Sequence, residues 1–226
     1  MARIIFIEGL QGCGKTTISE WLSNQMRPWG RECAWYNEDA EHPIGRLYDP
    51  EKCPDVADYI ETSTERWSDF ASREQQEART TVFDGRLLMC PVCGLLRFAV
   101  GADRIVPFIK GLAEAVSGMS PLLVYLHAPD YPPVFAAMCR RRGEKTEEIY
   151  VDRHNKSQFA KNREAYGYDG LVQFELEVKA VVEQLVDLLN MPKLAVDITG
   201  QEWDVYKRRI MQFVEPFLEN NVPDLV

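Results

Sequence analysis

The chain has 226 residues, 46% of them apolar, and a formal net charge of −9. That length suits a single domain with one α/β core covered by helices on both sides. The acidic balance argues against nucleic acid or an anionic membrane as partner. No apolar run approaches a membrane span, and Glu8 cuts short the N-terminal one, so a soluble cytoplasmic protein without a signal peptide is expected.

In chain order, Arg3 to Glu8 is an apolar run rich in β-branched residues and reads as a buried parallel strand. It leads into Gly9-Leu-Gln-Gly-Cys-Gly-Lys-Thr-Thr17, which fits G-x-x-x-x-G-K-[ST] at Gly9, Gly14, Lys15 and Thr16. Ile18 to Met26 then reads as an amphipathic helix, with Ile18, Trp21, Leu22 and Met26 on one stripe. Strand, glycine loop and helix thus arrive in the order that phosphate binding requires. Glycines keep Cβ atoms away, so the N–H groups of Gly9, Gly12, Cys13, Gly14, Lys15, Thr16 and Thr17 can turn toward an anion at a helix N-terminus. Lys15 would reach the terminal phosphates of a nucleoside triphosphate, and Thr16 would ligate Mg²⁺. Cys13, inside this loop, could confer sensitivity to thiol reagents but is not needed for catalysis.

Glu32 to Tyr36 is a second strand, followed by the polar, turn-rich stretch Asn37 to Pro54. Asp55 to Arg79 reads as helix, with Ile60, Trp67, Phe70 and Ala71 on its buried side. Thr80 to Phe83 is a short strand ending at Asp84-Gly85-Arg86. Helices follow at about Leu87–Val100 and Asp103–Ser117, then a strand at Pro121–His127. Tyr131 to Arg142 is helical and ends in the cluster Arg140-Arg-Arg142. Thr146 to Tyr166 and Leu171 to Leu189 read as two further helices, Leu194 to Ile198 as the last strand, and Glu202 to Leu218 as the last helix. Five strands alternating with helices predict a parallel sheet with helices on both faces, and ligands at the C-terminal ends of its strands.

Those ends carry acid. Asp84 is expected beside the Thr16 hydroxyl as the carboxylate that holds Mg²⁺, a metal that prefers hard oxygen ligands. One of Glu38, Asp39 and Glu41 would orient an acceptor hydroxyl and take its proton, with His42 nearby. Charge developing on a transferred phosphoryl group calls for cations, for which at least one of Arg140, Arg141 and Arg142 is a candidate; Arg86, two residues past Asp84, is a further catalytic candidate. The helices around residues 140–166 form the expected lid, although its basic residues would also pair with Glu144, Glu147 and Glu148. Cys90-Pro-Val-Cys93 has metal or redox spacing, but no second pair or placed histidine accompanies it, so packing is expected. The six cysteines show no disulfide framework.

With these residues in view, the chain resembles the P-loop small-molecule kinases: nucleoside monophosphate, thymidylate and deoxynucleoside kinases. The glycine loop is a sharp match. Arg140-Arg-Arg-Gly-Glu144 with Glu147, Tyr150 and Tyr166 resembles the lid and following helix of deoxynucleoside kinases, and Val82-Phe-Asp-Gly-Arg86 resembles their acid-plus-arginine motif. In that motif the family has the two residues adjacent, whereas Gly85 separates them here. Glu41-His42-Pro43 stands where the family has Glu-Pro. Asp197-Ile-Thr-Gly200, with Thr199, resembles the last-strand loop that lies against adenine. The resemblance implies a three-layer fold with a five-stranded parallel sheet and a moving helical lid, ATP with Mg²⁺, and a small-molecule acceptor; homodimers are frequent in the family.

The leading expectation is transfer of the γ-phosphoryl of MgATP to a nucleoside, a nucleotide or a natural product. The alternative is a P-loop ATPase working with a nucleic-acid or protein partner, although no apolar strand here ends in Asp-Glu. A GTP-dependent switch would need Asn-Lys-x-Asp, and Asn155-Lys156 is followed by Ser-Gln.

Overall fold

A computed structural model describes residues 3–26, 30, 32–38, 42–45, 47–49, 55–143 and 145–219. Five parallel strands, β1 (Ile4–Gly9), β2 (Cys33–Tyr36), β3 (Thr80–Asp84), β4 (Leu122–His127) and β5 (Lys193–Asp197), form one sheet in the order β2-β3-β1-β4-β5. The register pairs Ile7 with Asp84 on one side of β1 and Gly9 with Leu126 on the other. The centre of the sheet is dry: every residue of β1 and β3 is buried, as a strand covered on both faces requires. β2 and β5 form the edges and are only partly covered.

Helices flank this sheet: α1 (Lys15–Met26), α2 (Val56–Glu74), α3 (Met89–Arg97), α4 (Ala102–Ala115), α5 (Pro132–Arg142), α6 (Lys145–Asn155), α7 (Gln158–Arg163), α8 (Gly167–Leu188) and α9 (Trp203–Glu219). α1 buries Ile18, Leu22 and Met26 at helical spacing. The Asp55 side chain caps α2 by accepting from the Ala57 N–H at 2.7 Å. α2 ends at Glu74, five residues before the expected stop, where Arg79 folds back to bond both Glu74 oxygens. The expected helix from Thr146 to Tyr166 is two helices. Ser157 turns extended (φ −68°, ψ 153°) and its hydroxyl accepts the Ala160 N–H, a new N-cap that outcompetes continuation. Trp67 and Phe70, expected on the buried side of their helix, are core, and so is Met89. Trp67 and Phe70 pack on Phe83 at ring separations of 5.7 and 5.5 Å. Among the described residues, no helix is long and apolar enough to cross a membrane.

Candidate functional site

The sheet is parallel, so the loops after β1, β2, β3 and β5 leave from one edge, and the glycine-rich loop lies among them. Gly9, Gly12 and Gly14 have φ of +148°, +85° and +86°, a region where side chains are strained. The loop is also tightly enclosed. A Cβ on Gly12 would lie 2.9 Å from the Met138 Cβ of α5, and one on Gly14 would lie 2.7 Å from the Trp203 ring of α9. α1 begins at Lys15, so the N–H groups of its first turn have no partner within the helix and point out of its N-terminus.

Lys15 and Thr16 meet Asp84 here. The Thr16 hydroxyl donates to Asp84 Oδ2 at 2.5 Å, while Asp84 Oδ1 is buried without a hydrogen-bond partner. Lys15 is buried, and its Nζ donates to the Leu10 carbonyl at 3.3 Å. Burial alone would lower the Lys15 pKa. The surrounding Glu38, Cys90, Asp84 and Glu8 together outweigh it and raise the value, so the ammonium stays charged. Asp84 is itself shifted up, mainly by burial, with the Thr16 hydroxyl and Lys15 pulling the other way. Gly85, which separates acid from arginine, has φ +65°, and a Cβ there would lie 2.8 Å from Lys15 Cε. The inserted glycine therefore makes room for the lysine stem.

Arg86 is buried; its Nη2 donates to the Gly45 carbonyl at 2.7 Å and its Nε is unpartnered. A cavity of about 10 Å³ beside it is lined by Tyr59, Ser63 and Trp67 of α2 together with Pro91 and Phe108. Glu38 is half-buried within electrostatic reach of Lys15 and Asp84. Asp39 and Glu41 lie outside the described residues. His42 is a packed ring: it stacks on Phe83 at 5.6 Å, and its Nε2 donates to the Asn37 carbonyl at 2.6 Å. Burial, then Arg86, pushes it down to about 4, which leaves it neutral at pH 7.

Arg140, Arg141 and Arg142 form the exposed last turn of α5, about one turn beyond Met138. Arg142 donates to the Tyr150 hydroxyl at 3.2 Å. Thr199 is exposed, and its N–H and hydroxyl both donate to Asp197 Oδ1, closing the turn that leads to Trp203. Cys13 is 1% exposed, and burial pushes its thiol up to about 11, which works against thiol sensitivity at this place in the loop. Thr17 is exposed on the first turn of α1. Cys90 and Cys93 lie buried on α3, and no cluster of three or more metal-ligating side chains occurs among the described residues. A cleft of about 650 Å³ opens at the opposite end of the sheet, lined by Leu122, Met191 and Phe217 among others. It lies away from the cluster of Lys15, Thr16 and Asp84.

In sequence Glu8 interrupts an apolar run. Its carboxylate in fact accepts the N–H groups of Leu87, Leu88 and Met89 at 2.8–3.0 Å, capping α3 from 79 or more residues away. A charged residue inside an all-apolar strand was the available signal. Burial pushes Glu8 up to about 7, against those N–H groups and Lys15. The folded value exceeds the unfolded one, so the Glu8 contribution to stability is full below about pH 4.5 and is lost as pH rises through 7. His42, shifted down, runs in the opposite direction over much of that window, so a variant is needed to isolate Glu8. Glu8→Gln should cost most at low pH, and its deficit relative to wild type should shrink by roughly 3 kcal/mol between pH 4.5 and 7.5 in urea unfolding. A deficit independent of pH would mean that Glu8 does not titrate there.

No family model matches the chain, and no curated protein matches it in sequence. Among solved structures it is similar to the YorR protein of Bacillus subtilis, crystallised in complex with phosphorylated GDP, at 19% identity over 94% of this chain and 95% of that one, with a TM-score of 0.47. That overlap is too low for YorR's ligand to be carried over to this chain.

Proposed function

We propose that this chain is an ATP-dependent small-molecule kinase, moving the γ-phosphoryl group of MgATP to a hydroxyl or phosphate of its acceptor. The reading rests on the meeting of Lys15, Thr16 and Asp84 under a loop whose three glycines all have positive φ. Loop N–H groups and the α1 N-terminus bind the phosphates, and Lys15 neutralises their charge. The unpartnered Asp84 Oδ1 and the Thr16 hydroxyl are hard oxygen donors that suit Mg²⁺. Bound there, the ion would draw off phosphate negative charge.

The acceptor is taken at the C-terminal ends of β2 and β3, where Glu38 stands and Arg86 supplies a buried cation. Glu38 takes the proton of the acceptor hydroxyl as its oxygen forms the new bond to phosphorus and the bond to the ADP oxygen breaks. Arg140 or Arg141 closes over the phosphates from the end of α5, and closure excludes water as a competing acceptor. Incubation with γ-labelled ATP and Mg²⁺ against nucleosides, nucleotides and hydroxylated natural products should give one labelled product. Hydrolysis that no small molecule redirects, but that nucleic acid or a protein stimulates, would instead identify an ATPase.

A further inference from the structure

Behind the glycine-rich loop lies a buried polar group that phosphoryl transfer leaves unused. Tyr131 immediately precedes α5 and is 1% exposed; Glu175, within α8, is 2% exposed. The Tyr131 hydroxyl lies 3.0 Å from the Gln11 carbonyl oxygen and 3.3 Å from Oε2 of Glu175. A phenol carries one hydrogen, and both neighbours are acceptors when the carboxyl is ionised. One of the two close contacts then lacks a proton, in a region where an unmade hydrogen bond is costly. A protonated Glu175 removes the conflict, because its O–H donates to the phenol oxygen and leaves the phenolic hydrogen to Gln11.

The surroundings favour that state. Arg97 and Cys93 face Glu175 from α3, Tyr131 and Cys139 from the α5 side, Cys13 and Lys15 from the loop and α1, and Tyr150 from α6. His154 of α6 packs on the adjacent Phe174. Arg97, the nearest strong cation, donates Nη2 to Cys93 Sγ at 3.6 Å; its Nη1 and Glu175 Oε1 both lack partners, so the two form no direct ion pair. Burial accordingly dominates and pushes the carboxyl up to about 7, against Arg97, the Tyr131 hydroxyl and Lys15.

We propose that Tyr131 and Glu175 are positioning residues for the glycine-rich loop: protonated Glu175 donates to Tyr131, Tyr131 donates to the Gln11 carbonyl, and the loop keeps its phosphate-receiving shape. Ionised Glu175 draws the phenolic hydrogen to itself and releases Gln11, so nucleotide affinity falls as pH rises. The proposal rests on the kinase reading for its ligand, and the test separates the two.

MgATP affinity is measured by calorimetry at pH 6 and pH 8.5 for wild type, Glu175→Gln and Tyr131→Phe. The Gln amide donates to Tyr131 at every pH, so Glu175→Gln should keep the wild type's low-pH affinity at both values. Wild type should weaken about fivefold relative to it at the higher pH, and Tyr131→Phe should be about fivefold weaker at both. Parallel pH dependence in wild type and Glu175→Gln overturns the relay. Failure of wild type to bind MgATP at either pH overturns the kinase reading instead. The relay is then decided in the nucleotide-free chain through Trp203, whose ring rests against Gly14. Its emission, identified with a Trp203→Phe control, should change between those pH values in wild type and stay constant in Glu175→Gln; a constant wild-type signal overturns the relay.

Discussion

Lys15→Met should lower phosphoryl transfer by about a thousandfold or more while the chain still folds. Methionine keeps the unbranched stem that runs over Gly85, so packing changes little. What disappears is an ammonium group held against Leu10 and surrounded by Glu38, Asp84 and Glu8. In the proposed reaction that charge offsets the negative charge gathering on the phosphoryl oxygens from within the glycine-rich loop. The substitution also removes a cation that holds down Glu8 and Asp84, so both carboxyls should protonate more readily. The stability cost should be on the order of 2 kcal/mol, because the lysine makes one long hydrogen bond and its neighbours can neutralise themselves. Labelled transfer and urea unfolding on the same preparation check both parts. A folded variant with wild-type transfer would remove Lys15 from the chemistry.

Gly9→Ala should cost the fold itself. Gly9 is the last residue of β1, at φ +148°, and pairs with Leu126 of β4. A Cβ there would lie 2.3 Å from the Leu126 carbonyl oxygen and 3.3 Å from its carbon, in backbone that the central sheet holds in place. Either the two strands separate or the β1 end twists away, and both displace the glycine loop. Strain and lost pairing together should amount to roughly 3–5 kcal/mol, a fall in Tm of about 10 °C for a chain of this size. Gly111→Ala is the control. Gly111 lies inside α4, and a Cβ there meets nothing within 4 Å, so alanine should stabilise by about 0.5–1 kcal/mol. If both substitutions behaved alike in thermal unfolding, the argument from the Leu126 contact would fail.

Read alone, the sequence determined the elements and the order of the layers. Long apolar runs such as Ile4–Ile7 and Leu122–Leu126 are buried on both faces, and such runs have few conformational options. The α8 stripe Leu171, Phe174, Val178, Val182 and Leu185 was legible for the same reason, since burial repeats with the helical period. The glycine loop was legible because its groups are contiguous, and Asp84 because it closes a strand. Boundaries set by single polar side chains were missed, as at Ser157, where one hydroxyl decided between one helix and two. The tertiary structure alone decided the groups that act across distance: Glu8 on the α3 N-terminus, Tyr131 on Gln11, Glu175 beneath Tyr131, and Trp203 over Gly14. Each joins residues tens to nearly two hundred positions apart. No periodicity encodes such a meeting, because it exists only once the parallel sheet has brought the ends of its strands together.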